Sequence, residues 1–177
     1  MPDVILQREG IGSGRVGLRP LRSLRNPAVT GMLGYWRGKR GERSMPSPDD
    51  IDPVEFARYL PNLQLIQVDH DPLDFSYRLL GECVAEAFGG NRKGFRVRDL
   101  DSLRPGFGSM VFELFSAIVA QRRPFGVAGV TPSLEGKDVQ FESVHMPLSF
   151  DGERVDRILC ASSYRTLSLR ETLAVAG

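Results

Sequence analysis

The sequence over residues 62–80 is NLQLIQVDHDPLDFSYRLL. Two short apolar segments flank residues 69–73, whose Asp, His and Pro residues favour a turn. In the second segment Phe75, Tyr77 and Leu79 alternate with polar residues, and this period of two is typical of a half-buried strand. The stretch therefore predicts a β-hairpin.

The chain after this hairpin has a different pattern. Residues 82–105 lack a long apolar repeat and predict short helical turns and loops. Residues 106–122 carry a wide apolar face at helical spacing, and Pro124 follows them, so they predict one long helix. Three alternating segments with turn residues between them then predict strands over 125–131, 139–149 and 155–165.

Residues 26–61 predict two helices before the hairpin. Asn26 and Pro27 suit the start of the first, and Asp52 and Pro53 suit the start of the second. The first helix carries an apolar stripe that predicts a dimer interface, because aromatic anchors dominate interfaces. The interface residues are Val29, Met32, Leu33 and Trp36.

Two terminal tails complete the predicted organisation around a core domain over residues 62–167. Residues 1–25 contain five arginines and two acidic residues, with several glycines, which predicts a flexible basic tail that folding does not require. Residues 168–177 form the predicted C-terminal tail.

Composition restricts the class of protein. The 177 residues suit one domain with tails, and 41% hydrophobic with 25% charged residues are typical of a globular protein. The net charge of +1 gives no general attraction to nucleic acid or to a membrane surface. No apolar segment is long enough for a secretory signal or a spanning helix, so we expect a cytoplasmic protein.

Short motifs along the chain resemble those of a known family. They are Tyr35-Trp36, Arg40-Gly41, Pro46-Ser47, Leu60-Pro61, Tyr77-Arg78-Leu79, Phe88-Gly89, Pro147-Leu148 and Asp151-Gly152. Together with the element order, they resemble a family of bacterial single-domain PAS-like proteins, first described as a domain of unknown function. The resemblance implies an α+β fold with a five-stranded antiparallel sheet in the order 2-1-5-4-3. It also implies a long helix and small helices on one face of the sheet, with extra N-terminal helices.

The same resemblance implies sensing or regulation, and the residues indicate no catalytic or metal site. Haem-binding PAS domains use a histidine on the long helix, whereas this chain has none between His70 and His145. Flavin-photochemical members carry a cysteine in a short Asn-Cys-Arg-Phe motif, which neither Cys83 nor Asn91-Arg92 matches. We therefore expect neither haem nor a photochemical flavin.

The long helix, packed over the sheet, would leave room for a small-molecule pocket or for a filled core. The candidate wall combines aromatic residues with a few polar groups, which suits a small ligand. The candidate residues are Tyr77, Leu79, Phe88, Leu114, Phe115, His145, Cys160 and Ser162.

Three functional interpretations follow. The first is a regulatory module that forms a homodimer and binds a signalling protein, with or without a small ligand. The second is a ligand-free scaffolding protein, and the third, an enzyme, lacks a catalytic set of residues. On the other face of the sheet, Arg78 is predicted to pair with Glu142 beneath the N-terminal helices.

Overall fold

In residues 16–133 and 136–176, which the computed structural model describes, the chain forms six strands, four α-helices and four 3₁₀-helical segments. The strands are β1 (Val16–Arg19), β2 (Leu63–His70), β3 (Leu73–Leu80), β4 (Phe125–Pro132), β5 (Asp138–Leu148) and β6 (Arg157–Thr166). The α-helices are α1 (Pro27–Arg40), α2 (Glu82–Ala87), α3 (Phe107–Gln121) and α4 (Leu169–Ala176). The 3₁₀ segments are Leu21–Ser23, Pro48–Asp50, Pro53–Asn62 and Val97–Ser102.

The strands form one antiparallel sheet in the order β1-β4-β5-β6-β2-β3. Its last five strands are the predicted sheet, because the order β3-β2-β6-β5-β4 is 2-1-5-4-3 when counting starts at β2. The predicted fold class and strand order are therefore confirmed. The sixth strand, β1, extends the sheet beyond β4, with Val16 opposite Gly129.

The predicted flexible tail over residues 1–25 is wrong for its second part. Residues 16–19 are strand β1, and Leu24 is 3% exposed within the core. The physical reason is the free edge of β4, whose backbone groups β1 pairs with. Residues 1–15 lie outside the described residues. Residues 168–177, predicted as a tail, include helix α4.

Helix α1 begins and ends where the sequence predicts. The Asn26 side chain accepts a hydrogen bond from the backbone N–H of Ala28 at 2.9 Å, and Pro27 occupies the first turn. Gly41 ends the helix with a φ of 56°, a conformation that glycine adopts readily. The second predicted helix, after Asp52, is the 3₁₀ segment Pro53–Asn62.

The predicted interface stripe on α1 is buried within the chain itself. Val29, Met32, Leu33 and Trp36 are at most 3% exposed and belong to the hydrophobic core. Helix α1 packs on β5 and β6, and the Trp36 Nε1–H donates to the Pro147 carbonyl at 2.8 Å. The interface assignment is therefore wrong, because the sheet itself covers the stripe that the sequence left without a partner.

The predicted ion pair between Arg78 and Glu142 is also wrong. Strand β3 is the edge of the sheet and β5 lies three strands away, which is roughly 14 Å at the usual strand spacing. Arg78 is exposed. Glu142 binds the start of α1 instead, where its Oε1 accepts from the backbone N–H groups of Arg25 and Asn26, each at 2.8 Å.

Helices cover both faces of the sheet. Helix α1 lies on one face, which we call the outer face. Helices α2 and α3 lie on the opposite, inner face, where Phe75 makes edge-on contacts with Phe112 and Phe115 of α3. The sheet is therefore the middle of three layers, and its inner face carries the candidate site.

Candidate ligand-binding cavity

A cavity of about 450 Å³ lies between the inner face of the sheet and the helices that cover it. Strands β2 to β6 supply one wall, and α2, α3 and the loop before α3 supply the other. Val16 of β1 also lines the cavity. Its volume falls in the range of small-molecule sites.

Six of the eight candidate residues line this cavity. They are Tyr77, Phe88, Leu114, Phe115, His145 and Ser162. The packing of α3 over the sheet, which the sequence analysis assumed, brings them together. Whether a ligand occupies the space stays a prediction.

Leu79 does not line the cavity and is 43% exposed. The cause is a bulge in the β2–β3 pair, where Ile66 lies opposite Tyr77 but the preceding Leu65 lies opposite Leu79. Arg78 is the extra residue, and it breaks the alternation of side chains between the two faces. The prediction that Leu79 shares a face with Tyr77 is therefore wrong.

Cys160 lies on the inner face behind the cavity wall and is fully buried. Its Sγ is 3.2 Å from Nδ1 of His145, so it contacts a lining residue without lining the cavity itself. Burial raises the pKa of the Cys160 thiol, which keeps it protonated at neutral pH. It therefore serves as a small buried residue and not as a nucleophile.

His145 is held neutral at the inner end of the cavity. Its Nε2 lies 3.0 Å from the Ser143 hydroxyl, and the Phe115 ring packs 5.7 Å from its imidazole. Burial lowers the pKa of His145 to about 4. The imidazole with its Cys160 and Ser143 partners is thus an uncharged polar group at physiological pH.

Gln64 is a lining residue that the sequence analysis missed. It is 4% exposed, and its Nε2 donates to the Ser162 hydroxyl at 3.1 Å. The sequence around it, Leu-Gln-Leu-Ile-Gln-Val, offers apolar residues to both faces. Only the pairing of β2 with a strand on each side, β6 and β3, reveals that Gln64 is enclosed.

Aromatic rings form another part of the wall. Tyr77 and Phe88 pack edge to face at 5.9 Å, and Phe88 packs on Phe107 in the same way at 6.0 Å. On the sheet side, Phe141 stacks against Tyr164 at 6.3 Å. Burial raises the pKa of Tyr164 to about 12, so its hydroxyl stays neutral. The wall thus favours an apolar ligand body.

Arg104 is another lining residue that the sequence analysis missed. Its Nη1 donates to the Thr131 hydroxyl at 2.6 Å and to the Pro132 carbonyl at 2.8 Å. Its guanidinium carbon lies 4.4 Å from the centre of the Phe107 ring. Arg104 precedes α3 in a loop without a local pattern, so no sequence signal pointed to it.

Comparison with known proteins gives the family. A family model described as a PAS domain matches residues 24–162. The chain belongs to the PAS domain family. The resemblance seen in the short motifs is thereby confirmed, and strand β1 lies outside the matched part of this PAS domain.

Two solved structures are similar to this PAS domain. One is the PAS domain of Bordetella pertussis BvgS, at 17% identity and a TM-score of 0.46, covering 70% of this chain and 93% of that one. The other is an RNA-binding Light-Oxygen-Voltage receptor, at 13% identity and a TM-score of 0.43, covering 93% of this chain and 41% of that one. No curated protein sequence matches the chain.

Two titratable side chains in contact at the cavity wall, His145 and Cys160, are both uncharged at neutral pH. Among residues 16–133 and 136–176, no three or more His, Cys, Asp or Glu side chains are placed to hold a metal ion. In the same part of the chain, every helix is too short or too polar to cross a membrane.

Proposed function

We propose that this PAS domain is a sensory module that binds a small molecule in the inner-face cavity and reports its occupancy to a protein partner. PAS domains are in general sensory or regulatory modules. The observation that carries the proposal is the cavity itself, about 450 Å³ of space within the layer between sheet and helices. Protein interiors normally fill such space with side chains, so a cavity of this size suits a ligand.

The polar groups around the cavity support a ligand-binding role. Ser143 with His145 and Gln64 with Ser162 form two buried hydrogen-bonded pairs on the sheet wall. Each pair is uncharged and satisfied, so an apolar ligand can lie against it without leaving a buried charge unpaired. These groups would give orientation, and the rings around them would give affinity.

The position of β1 offers a route from the cavity to the edge of the sheet. Val16 lines the cavity and also pairs with Gly129 of β4. A ligand in contact with Val16 would stabilise β1 on the sheet. Occupancy would then change the stability of the edge strand, a surface that a protein partner can recognise.

Mass spectrometry of a filled variant tests the ligand. Val111 of α3 lines the cavity, so Val111→Trp should place an indole in it and displace the ligand. Ala120→Trp is the matched control, because Ala120 is exposed on the same helix. In native mass spectra of protein purified from its host, the ligand mass should accompany the wild type and Ala120→Trp but not Val111→Trp.

The opposite result supports the scaffolding interpretation. A ligand-free wild type, combined with a higher melting temperature for Val111→Trp, would mean that the cavity is unused space that a larger side chain fills. That pair of results would contradict the proposal.

The proposed assembled form is a homodimer. Because the α1 stripe around Trp36 is buried, a different surface has to form the contact. Sedimentation velocity over a range of concentrations tests this part, and a monomer at high micromolar concentration would contradict it without affecting the ligand proposal.

A further inference from the structure

The wall of the cavity holds a cation whose charge no described carboxylate balances. Two donors of Arg104 bind Thr131 and Pro132, both of which are uncharged acceptors. Its Nε is buried without a hydrogen-bond partner. The nearby Asp101 is engaged elsewhere, since its carboxylate accepts from the backbone N–H of Gly108 at 2.6 Å and from the Ser109 hydroxyl at 2.7 Å.

Other arginines of the chain show what Arg104 lacks. Arg96 pairs with Asp69 and Asp74, and Arg165 pairs with Glu171, all on the surface. Arg104 is half-buried, and burial alone lowers the pKa of its guanidinium. A partly desolvated cation with unused donors is costly, and an anion beside it would remove that cost.

Resting on the proposed function, we propose that the ligand is a monocarboxylate with an apolar body, and that its carboxylate binds the guanidinium of Arg104. A guanidinium offers several N–H donors in one plane, and a carboxylate accepts such charged hydrogen bonds more strongly than a neutral oxygen does. The single positive charge of Arg104 suits a monoanion better than a phosphate dianion.

The position of the other polar groups defines the shape of this ligand. Thr131, which holds Arg104, lies four residues beyond Val127 on β4, and Val127 is opposite Ser143. At the usual rise per residue of a strand, Thr131 lies ~13 Å along β4 from Val127, and therefore from the level of Ser143 in the sheet. The Ser143 level is uncharged and walled by Phe115 and His145. An elongated molecule with its acid group at Arg104 and its apolar end at this level fits the cavity.

The test compares octanoate with 1-octanol, which share a chain and differ in the charged group. Binding of each to the full-length protein, stripped of any ligand, is measured by calorimetry. We expect octanoate to bind at least about tenfold more tightly, the affinity that one charged hydrogen bond contributes. Equal affinities would overturn the inference and leave the proposed cavity ligand intact.

Variants of Arg104 test whether this side chain causes the preference for octanoate over 1-octanol. Arg104→Gln should weaken octanoate binding about tenfold and leave octanol binding unchanged, while Arg104→Lys should keep part of the preference. Arg98→Gln is the matched control, because Arg98 also stacks on a phenylalanine of α3, at 3.8 Å from the Phe112 ring, but lies outside the cavity. Circular dichroism confirms that each variant is folded.

Four outcomes would overturn the inference. An unchanged preference in Arg104→Gln would place the acid elsewhere, and an equal loss in Arg98→Gln would show a general effect of charge. If Arg104→Gln fails to fold, Arg104→Lys is measured in its place. A complete loss of the preference for octanoate in a folded Arg104→Lys would reject the role of the positive charge. Binding of neither probe at millimolar concentration would reject this ligand class, and the absence of a co-purifying mass would then reject the proposed function separately.

Discussion

Replacing Glu142 with alanine tests how the N-terminal helix is attached to the sheet. One carboxylate oxygen of Glu142 accepts two backbone N–H groups, of Arg25 and Asn26, immediately before α1. The alanine removes both hydrogen bonds and a negative charge near the positive end of the helix dipole. At roughly 1 kcal/mol for each partly solvated hydrogen bond, the free energy of unfolding should fall by about 2 kcal/mol.

Urea unfolding followed by tryptophan fluorescence measures this loss. Trp36 is the only tryptophan and is 2% exposed, so its emission reports on the contact between α1 and the sheet. For a chain of this size, about 2 kcal/mol corresponds to a fall in melting temperature of roughly 4–8 °C. Glu142→Gln retains an acceptor oxygen, so it should lose about half as much.

Arg78→Ala is the matched control, because Arg78 is exposed three strands from Glu142. It should change stability by less than about 0.5 kcal/mol, and the double variant with Glu142→Ala should be additive. A loss below about 0.5 kcal/mol in Glu142→Ala would refute the attachment. A coupling energy of more than about 1 kcal/mol between the two substitutions would instead support an ion pair between Arg78 and Glu142.

Three further predictions concern the core. Leu24→Ala should cost about 2–3 kcal/mol in urea unfolding, because Leu24 is buried, whereas a flexible segment would give no change. Trp36→Phe should lower the free energy of unfolding, followed by circular dichroism, by about 1–2 kcal/mol, since the Pro147 carbonyl loses its donor. The sedimentation coefficient should stay unchanged. A shift toward monomer without loss of stability would contradict this prediction. Burial holds the pKa of His145 at about 4, against about 6.5 in the unfolded chain. Between these two pH values only the unfolded chain binds the proton, so the free energy of unfolding should fall as the pH is lowered through this window. The loss reaches up to about 3 kcal/mol near pH 4, and a His145→Gln variant with the same slope would contradict the assignment.

Sequence patterns predict some of the residues that line the cavity but not others. The sequence predicts that Tyr77, Phe115 and His145 line it, because the long helix is expected to pack over the strands, and the structure places all three there. Gln64 and Arg104 carry no such pattern. Their place on the wall depends on which strands flank β2 and on how one loop packs against β4.

Residues close together in the chain encode the local elements of this protein. Asn26 and Pro27 begin α1 and Gly41 ends it, because capping hydrogen bonds and backbone torsion angles involve only near neighbours. The alternation of β6 likewise places Cys160 and Ser162 on one face of the sheet. These signals also predict the element order, which together with the short motifs indicates the PAS domain family.

What covers each face of the sheet depends on contacts between elements that are distant in the chain. The apolar stripe of α1 is the same whether it meets another copy or its own sheet, and the sheet covers it because β5 and β6 lie beneath. One unpaired residue, Arg78, turns Leu79 outward, and the free edge of β4 binds residues 16–19 as a strand. Burial and pairing depend on residues distant in the chain, whereas periodicity shows only which side chains share a face.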